Sequence, residues 1–174
     1  MYEVVDQNNE LYAIKVIPES YFEHSEQRKS RLLEEIKILD LTSEVEKICS
    51  AHEVFIDEGD LCLVMDYFEK DLSQVFAEKG KFSEEETRGF CLQIIEGLTK
   101  LHEKQIVYRD LKMENILWNR AGKIALADFG LSKVLTEGTT NKTDSFCGTP
   151  EYLAPEVILN EPYDWRIDYW RLGI

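Results

Sequence analysis

The sequence is short of basic residues. Of its 174 residues, 20 are Lys or Arg and 34 are Asp or Glu, which gives a formal net charge of −14. Nucleic acids and anionic membranes bind basic surfaces, so this balance argues against both as partners. A basic peptide suits an acidic surface better, although such a surface also serves solubility alone.

Long apolar runs and metal-ligand cysteine spacings are also missing. No run reaches the roughly 20 residues of a membrane-spanning helix, and the first residues lack the basic and apolar regions of a secretion signal. The four cysteines, at positions 49, 62, 91 and 147, are not spaced as metal ligands. We therefore expect neither secretion nor membrane insertion, and reduced thiols in a single-domain cytoplasmic or nuclear protein.

The stretch 107–117, VYRDLKMENIL, carries polar residues between two apolar pairs. The flanking pairs 106–107 and 116–117 have strand character, which would fix the turn between them at both ends. Asp110 can orient and deprotonate a hydroxyl, Lys112 can reach a phosphoryl group in transfer, and Asn115 can hold Mg²⁺. Taken alone, the stretch is equally consistent with phosphoryl transfer and with an ordinary polar surface turn.

Two later motifs favour phosphoryl transfer. Asp128, Phe129 and Gly130 follow the apolar run 124–127, which places a second Mg²⁺-binding carboxylate at the end of a buried strand. In this motif we expect Gly130 to permit an unusual backbone turn. The segment 147–156, CGTPEYLAPE, then matches the end of a kinase activation loop. With these three motifs in order, the chain resembles the eukaryotic protein kinase family.

The resemblance implies an α+β, bilobal fold. Its small lobe would be an antiparallel β lobe with the family's helix C, and its large lobe would be mainly helical and incomplete. We expect the small lobe at 1–65, a hinge at 66–70 and the first part of the large lobe at 71–174, ending within the family's helix F. The small lobe would lack the family's Gly-rich phosphate loop.

The resemblance also implies roles for the catalytic residues. Asp110 would accept the proton of the substrate hydroxyl, and Lys112 would offset charge on the γ-phosphoryl group. Thr149 would bridge these two residues near the acceptor. Asn115 and Asp128 would hold Mg²⁺ on the phosphates of ATP.

A lysine on an apolar strand face suggests the phosphate contact. Alternation over 11–17 places Lys15 among apolar residues, where an ammonium needs a partner. By resemblance Lys15 contacts the α- and β-phosphates and pairs with Glu35 of the predicted helix 25–41. Glu34 is the alternative partner.

The remaining nucleotide contacts are also implied by the resemblance. Met65 would be the gatekeeper of the adenine pocket, and the backbone of Asp66 and Phe68 would hold the adenine. Asp71 would meet the ribose or a substrate arginine, or simply cap a helix. The full set of implied ATP-binding residues is Ala13, Lys15, Met65, Asp66, Phe68, Asp71, Glu114, Leu117 and Asp128.

Tyr108 replaces the usual histidine of the family's catalytic loop and, with the 147–156 segment, resembles the AGC group of Ser/Thr kinases. Ser145 matches that group's activation-loop phosphorylation site. Its phosphate would gather Arg109, Lys133 and Arg31 and order the loop after the action of an upstream kinase.

Apolar spacing predicts the scaffold around these motifs. We expect hairpins from strands 2–5 and 11–17 and from 54–56 and 61–65. We also expect a short helix after Asp71 and a long helix after Ser83, which opens a capping box. Their predicted inward residues are Leu72, Val75 and Phe76 in the first helix and Phe90, Ile94, Ile95, Leu98 and Leu101 in the second. The stretch 42–51 has no clear pattern.

The sequence therefore predicts an ATP-dependent serine/threonine protein kinase that uses Mg²⁺. Its substrates would be proteins with Ser or Thr acceptors, and the acidic balance with Glu114 and Asp71 suggests basic residues upstream of the acceptor. The alternative is a catalytically inactive kinase fragment or a binding module, because the Gly-rich loop and the later large-lobe helices are missing.

Overall fold

An antiparallel sheet of four strands forms the N-terminal part of the molecule. The computed structural model describes residues 1–135, 143 and 147–174. The sheet has the order β1-β2-β4-β3. Its strands are β1 (Tyr2–Val5), β2 (Leu11–Ile17), β3 (Ala51–Asp57) and β4 (Asp60–Asp66). The first hairpin has the predicted bounds, whereas β3 begins earlier than predicted and carries an irregularity between Ala51 and Glu53.

Two helices lie between the hairpins, α1 (Glu19–Phe22) and α2 (Glu26–Leu41). Ser25 begins α2 as an N-cap, because its side chain accepts a hydrogen bond from the backbone N–H of Arg28. Leu32, Ile38 and Leu39 are buried in the core, and their i, i+6 and i+7 spacing places them on one helix face. This face holds α2 in place, and Glu35 lies on the same side.

The rest of the chain is mainly helical. Two long elements, α3 (Leu72–Lys79) and α4 (Glu84–Glu103), are followed by short strands and turns. The short strands pair as β5-β7-β8 and β6-β9. Their bounds are β5 (Lys70–Asp71), β6 (Ile106–Val107), β7 (Ile116–Trp118), β8 (Ile124–Leu126) and β9 (Lys133–Val134); α5 (Pro155–Ile158) and α6 (Arg166–Leu172) follow.

Both predicted helix starts are confirmed as capping boxes. The side chains of Asp71 and Ser83 accept from the backbone N–H three residues on, and the side chains of Gln74 and Glu86 bond back. These caps satisfy N–H groups that a helix start leaves without partners.

Two predicted inward residues are wrong. Phe76 and Ile95 each keep 40% of their surface exposed. Phe76 instead stacks edge-on against Phe82, with ring centroids 5.5 Å apart. The buried side of α4 is narrower than the apolar pattern suggests, because Ile94, Leu98 and Leu101 already fill it.

The stretch 42–51, which the sequence left open, joins the two parts of the molecule. The backbone N–H of Cys49 donates to the carbonyl of Leu126 (2.9 Å), and the N–H of Leu126 donates to the carbonyl of Lys47 (2.8 Å). Gly97 of α4 lies close by, since a Cβ there would come within 3.2 Å of the Lys47 carbonyl. This strand-like contact sets the N-terminal sheet against α4 and β8.

One continuous core runs from α2 and β4 through α4 to the strands around the catalytic loop. Ile38, Leu63, Leu98 and Leu126 are each fully buried within it. A second cluster, which includes Val107, Leu153 and Ile167, lies beneath the 147–156 segment. In the described ranges, no helix combines the length and the apolar character needed to cross a membrane.

Candidate active site

Two adjoining cavities meet at Lys15 and Asp128, between the N-terminal sheet and the catalytic loop. The first, of about 240 Å³, has apolar walls on one side and charged residues on the other. The second, of about 410 Å³, extends toward α2 and Asp110. The first is lined by Met1, Ala13, Lys15, Cys49, Met65, Asp66, Phe68, Glu114, Asn115, Leu117, Ala127 and Asp128.

Lys15 pairs with Glu35, as predicted, at 2.7 Å between Nζ and Oε1. The ammonium also lies 3.5 Å from Oδ1 of Asp128. Burial opposes the charge of Lys15, but the two carboxylates outweigh burial and raise the pKa of the ammonium above its ordinary value. Glu34, the alternative, accepts instead from the backbone N–H of Val134 at 3.3 Å. The structure therefore places Glu35 at Lys15.

Four polar side chains of the catalytic loop and the 147–156 segment form one network. Asp110 Oδ2 lies 3.0 Å from the Lys112 ammonium and accepts from Asn115 Nδ2 at 2.9 Å. Thr149 donates its hydroxyl to Asp110 Oδ1 at 3.0 Å and accepts from Lys112 at 3.2 Å. The predicted bridge by Thr149 is present in the structure, and Asp110 is held in one orientation by three groups.

The backbone takes an unusual conformation beside both candidate carboxylates. Arg109 has a φ of 67° and Asp128 a φ of 58°, in the left-handed region that residues with a side chain rarely adopt. Gly130, which was expected to supply the unusual turn, is not among the residues in that region. A Cβ at Gly130 would lie 3.4 Å from Asp128 Oδ1 and 3.6 Å from Glu35 Oε2. Both distances are ordinary van der Waals contacts, so the available space does not require glycine at position 130, and Asp128 itself makes the turn.

Tyr108 connects the catalytic loop to the strand before Asp128. Its side chain is fully buried, and its hydroxyl donates to the carbonyl of Ala127 and lies 3.3 Å from the carbonyl of Asn115. Burial raises the pKa of this hydroxyl well above its usual value, so it stays protonated as a donor. One side chain thus links the backbone at two positions next to the predicted Mg²⁺ ligands.

Helix α6 supports the catalytic loop from below through Asp168, which is completely buried. Its Oδ1 accepts from the backbone N–H of Arg109 at 2.8 Å, and its Oδ2 accepts from that of Tyr108 at 3.0 Å. His102 Nε2 lies 2.9 Å from the same carboxylate. A buried carboxylate with three partners fixes the loop just before Asp110.

Most of the residues predicted to bind ATP line the first cavity. The exception is Asp71, whose carboxylate caps α3 by accepting from the backbone N–H of Gln74 at 2.9 Å. Asp71 is nevertheless paired with Leu117 across β5 and β7, so it stands one strand away from the cavity wall. Its predicted ribose contact remains a prediction, and its helix-capping alternative is present in the structure.

The three basic residues predicted around a phosphorylated loop share one cavity. Arg31, Arg109 and Lys133 all line a space of about 220 Å³. The Arg109 guanidinium donates to the carbonyls of Leu131 and Ser132 there. Ser145, the predicted phosphorylation site, lies outside the described residues.

Sequence reasoning missed two residues at the site. Cys49 lines the first cavity, and its thiol lies 3.9 Å from the carbonyl of Asp66. Burial raises the pKa of this thiol to about 12, so it is a neutral, apolar wall rather than a nucleophile. Arg171 of α6 is buried beside Asp110. No sequence pattern indicated either residue. Cys49 lies in the stretch 42–51, which lacks periodicity, and Arg171 contacts residues that are far from it in sequence.

Comparison with known proteins shows the family to which the chain belongs. The chain matches the family model described as the protein kinase domain over residues 1–174, and it belongs to this family. The match confirms the family resemblance and the α+β kinase fold. Similar curated proteins include a protein kinase C delta type homolog of Drosophila melanogaster, 40% identical over 165 residues, and the serine/threonine-protein kinase sgk-1 of Caenorhabditis elegans, 36% identical over 168 residues.

The alignments cover nearly all of this chain but only part of each relative. They include 94% of the chain and 24% of the Drosophila protein, and 96% of the chain and 36% of sgk-1. The cGMP-dependent protein kinase egl-4 of Caenorhabditis briggsae is 36% identical over 167 residues, which are 95% of the chain and 22% of that protein. The chain thus spans between about a quarter and a third of these relatives.

Proposed function

We propose that the chain is the catalytic part of an ATP-dependent serine/threonine protein kinase. The observation that carries the proposal is the arrangement around one pair of cavities. The Lys15–Glu35 ion pair and Asp128 lie on one side, and the network of Asp110, Lys112 and Thr149 lies on the other. Phosphoryl transfer depends mainly on positioning and on charge stabilisation, which this arrangement supplies.

The first cavity has the walls that a purine ring and a triphosphate require. Ala13, Met65 and Leu117 provide apolar surface, and Lys15 stands where the cavity becomes polar. Adenine binding needs a flat apolar slot with backbone hydrogen bonds at one edge. We propose that the backbone of Asp66 and Phe68, which line the cavity, supplies these bonds. We propose that Lys15, held by Glu35, binds the α- and β-phosphates.

The donor set fits Mg²⁺ bound jointly by protein and phosphate. Among the described residues, Asp128 contacts Lys15 and the N–H of Gly130 through Oδ1, and the side-chain bonds of Asn115 use its amide nitrogen. Oδ2 of Asp128 and the amide oxygen of Asn115 are thus the atoms for a cation. Within the described residues no cluster of three His, Cys, Asp or Glu could hold a metal alone, and Mg²⁺ characteristically shares one or two carboxylates with substrate phosphates. When bound, Mg²⁺ neutralises phosphate charge.

The catalytic network then positions the acceptor. Asp110 orients the Ser or Thr hydroxyl and accepts its proton, and Lys112 stabilises charge on the transferred γ-phosphoryl group. Thr149 keeps these two side chains together, because it bonds to both. All three side chains are at least partly buried, so the charges act in a medium of lower polarity than water.

We further propose protein substrates with basic residues upstream of the acceptor, activation by phosphorylation at Ser145, and a cytoplasmic or nuclear location. The net charge of −14 and the exposed Glu114 beside the first cavity support the substrate preference. The shared cavity of Arg31, Arg109 and Lys133 supports a phosphate-binding role for that cluster.

Two substitutions separate nucleotide binding from transfer. Asp128→Ala should abolish the Mg²⁺-dependent rise in melting midpoint that ATP gives, because it removes a cation ligand. Asp110→Asn should keep that rise but reduce transfer of labelled γ-phosphate to a Ser peptide with upstream arginines. Asp57→Ala, at the exposed end of β3, is the matched control and should behave as wild type.

The proposal has a clear contrary outcome. A chain that melts cooperatively, but whose midpoint does not respond to Mg²⁺ and ATP, would be a kinase-fold binding module without catalysis. If the wild-type chain and the Asp110→Asn variant both bind ATP and transfer phosphate at the same rate, Asp110 is not the base.

A further inference from the structure

Helix α6 places two buried charges against the catalytic loop, three residues apart on one face. Asp168 accepts from the backbone of the loop, as described above. Arg171 has no exposed side-chain surface, and its Nη2 donates to the carbonyl of Cys147 at 3.4 Å. Its Nη1 lies 4.0 Å from Oδ1 of Asp110. One guanidinium therefore lies between the start of the 147–156 segment and the proposed base.

This guanidinium is poorly satisfied for a buried charge. Nε and Nη1 of Arg171 have no hydrogen-bond partner among the described residues. Burial lowers the pKa of Arg171, while the carboxylates of Asp110 and Asp168 oppose that change. A residue buried only for packing would be apolar, since burying a charge without full hydrogen bonding is unfavourable. The charge is located where it faces Asp110 and Cys147.

The local backbone is shaped around Arg171. Gly148 has a φ of 110°, and a Cβ there would lie 2.9 Å from Cζ of Arg171 and 3.0 Å from the carbonyl of Arg109. Gly148 therefore packs between the guanidinium and the catalytic loop at a separation that excludes any side chain. Thr149, the next residue, bonds to both Asp110 and Lys112.

We propose that Arg171 is a positioning residue, which fixes Cys147 and Gly148 against the catalytic loop and thereby sets Thr149 at Asp110; its catalytic consequence rests on the proposed function. The guanidinium holds the segment through the Cys147 carbonyl, and its charge faces Oδ1 of Asp110, whereas Lys112 contacts Oδ2. Thr149 then needs little rearrangement to meet the acceptor hydroxyl. Arg171 acts through these residues and does not itself touch the substrate.

The test compares Arg171→Met and Arg171→Lys with Arg166→Met in the 174-residue chain. Arg166 is the matched control, because it lies on the same helix but is exposed and pairs with Asp164. The first readout is amide hydrogen exchange at Tyr152 and Leu153, whose N–H groups bond to the carbonyls of Thr149 and Pro150. It needs no catalysis.

We expect Arg171→Met to speed exchange at these two amides by about tenfold or more while α4 exchanges as in wild type. We expect kcat for a Ser peptide to fall by about tenfold to a hundredfold, the effect of one charge-assisted hydrogen bond, at an unchanged KM for ATP. Arg171→Lys keeps the positive charge but replaces the planar guanidinium with one ammonium group, so its kcat should lie between those of Arg171→Met and wild type. Arg166→Met should match wild type in every readout.

Two results would overturn the inference. One is exchange at Tyr152 and Leu153 within twofold of wild type in Arg171→Met. The other is equal acceleration in α4 with a proportional loss of ATP binding, which would make Arg171 a general stabiliser. If the wild-type chain transfers no phosphate, the proposed function fails, but the exchange measurement still decides the positioning role.

Discussion

The hydroxyl of Tyr108 offers the sharpest test of how the site is held together. Tyr108→Phe keeps the aromatic ring, which packs against Phe129 with centroids 5.5 Å apart, and removes only the donor. The carbonyl of Ala127 loses a hydrogen bond, and the carbonyl of Asn115 loses a polar neighbour at 3.3 Å. Both contacts are buried, so the substitution should destabilise the fold.

The expected magnitude follows from that burial. Leaving a buried acceptor without its donor costs about 1–3 kcal/mol in unfolding free energy. For a chain of this size, 1 kcal/mol corresponds to about 2–4 °C in the melting midpoint. Tyr108→Phe should therefore lower the midpoint by about 6 °C, within a range of about 2–12 °C.

Thermal unfolding followed by circular dichroism measures this shift, with urea unfolding as a second estimate of the free energy. Tyr12→Phe is the control, because the Tyr12 hydroxyl donates only to the exposed Glu10. We expect no measurable change in that variant. A drop of less than about 1 °C in Tyr108→Phe would refute the reasoning, since even one unsatisfied buried carbonyl should exceed it.

Two further predictions concern ion pairs. Glu35→Gln should lower the unfolding free energy by about 1 kcal/mol in chemical denaturation, because Gln keeps an acceptor for Lys15 but removes the carboxylate charge from that bond. Glu34→Gln keeps an acceptor for an uncharged backbone donor and should change the unfolding free energy less. The hydrogen bond from Lys79, together with the N–H of Ser83, lowers the pKa of Glu86 from 4.5 to about 2. Because its pKa is lower in the folded state, the stabilisation that Glu86 gives to α4 is present above pH 4.5 and is lost as pH falls toward 2. Carboxyl NMR titration measures the pKa of Glu86 directly. In the Glu86→Gln variant, the melting midpoint should depend less on pH between 4.5 and 2 than it does in wild type. The same pH dependence in variant and wild type would contradict this assignment.

Local patterns predicted the elements well where each side chain acts on its immediate neighbours. The strands 2–5 and 11–17 were predicted with their observed bounds, and both helix caps, at Asp71 and Ser83, were predicted from residues within four positions. Apolar spacing was less reliable in predicting which residues at the edge of a helix's apolar face are buried. Ile95 continues the pattern of α4 but lies outside the contact surface. Periodicity indicates which side is apolar, but the neighbouring element sets how wide the buried side is.

The pairs within the site depended on information of a different kind. The motifs indicated which residues belong together, yet only the fold shows that Glu35 rather than Glu34 reaches Lys15, because the two differ by one position on α2. Arg171 gave no signal, since its contacts with Asp110 and Cys147 exist only after α6 packs beneath the loop. The residues next to Arg171 in the sequence do not indicate these contacts.

Arg109 and Asp128, the left-handed residues beside the candidate carboxylates, show why the site geometry is a property of the whole fold. Backbone strain at a residue with a side chain is of the order of 1–3 kcal/mol, so it persists only where other contacts outweigh it. At Arg109, the backbone N–H bonds to Asp168, and the guanidinium bonds to carbonyls of the segment after Asp128. Several bonds, each worth about 1 kcal/mol or more, are enough to hold that conformation. Because those bonds come from α6 and from the chain after β8, the orientation of Asp110 depends on elements far from it in sequence. Substitutions there should alter the proposed catalysis before they unfold the chain.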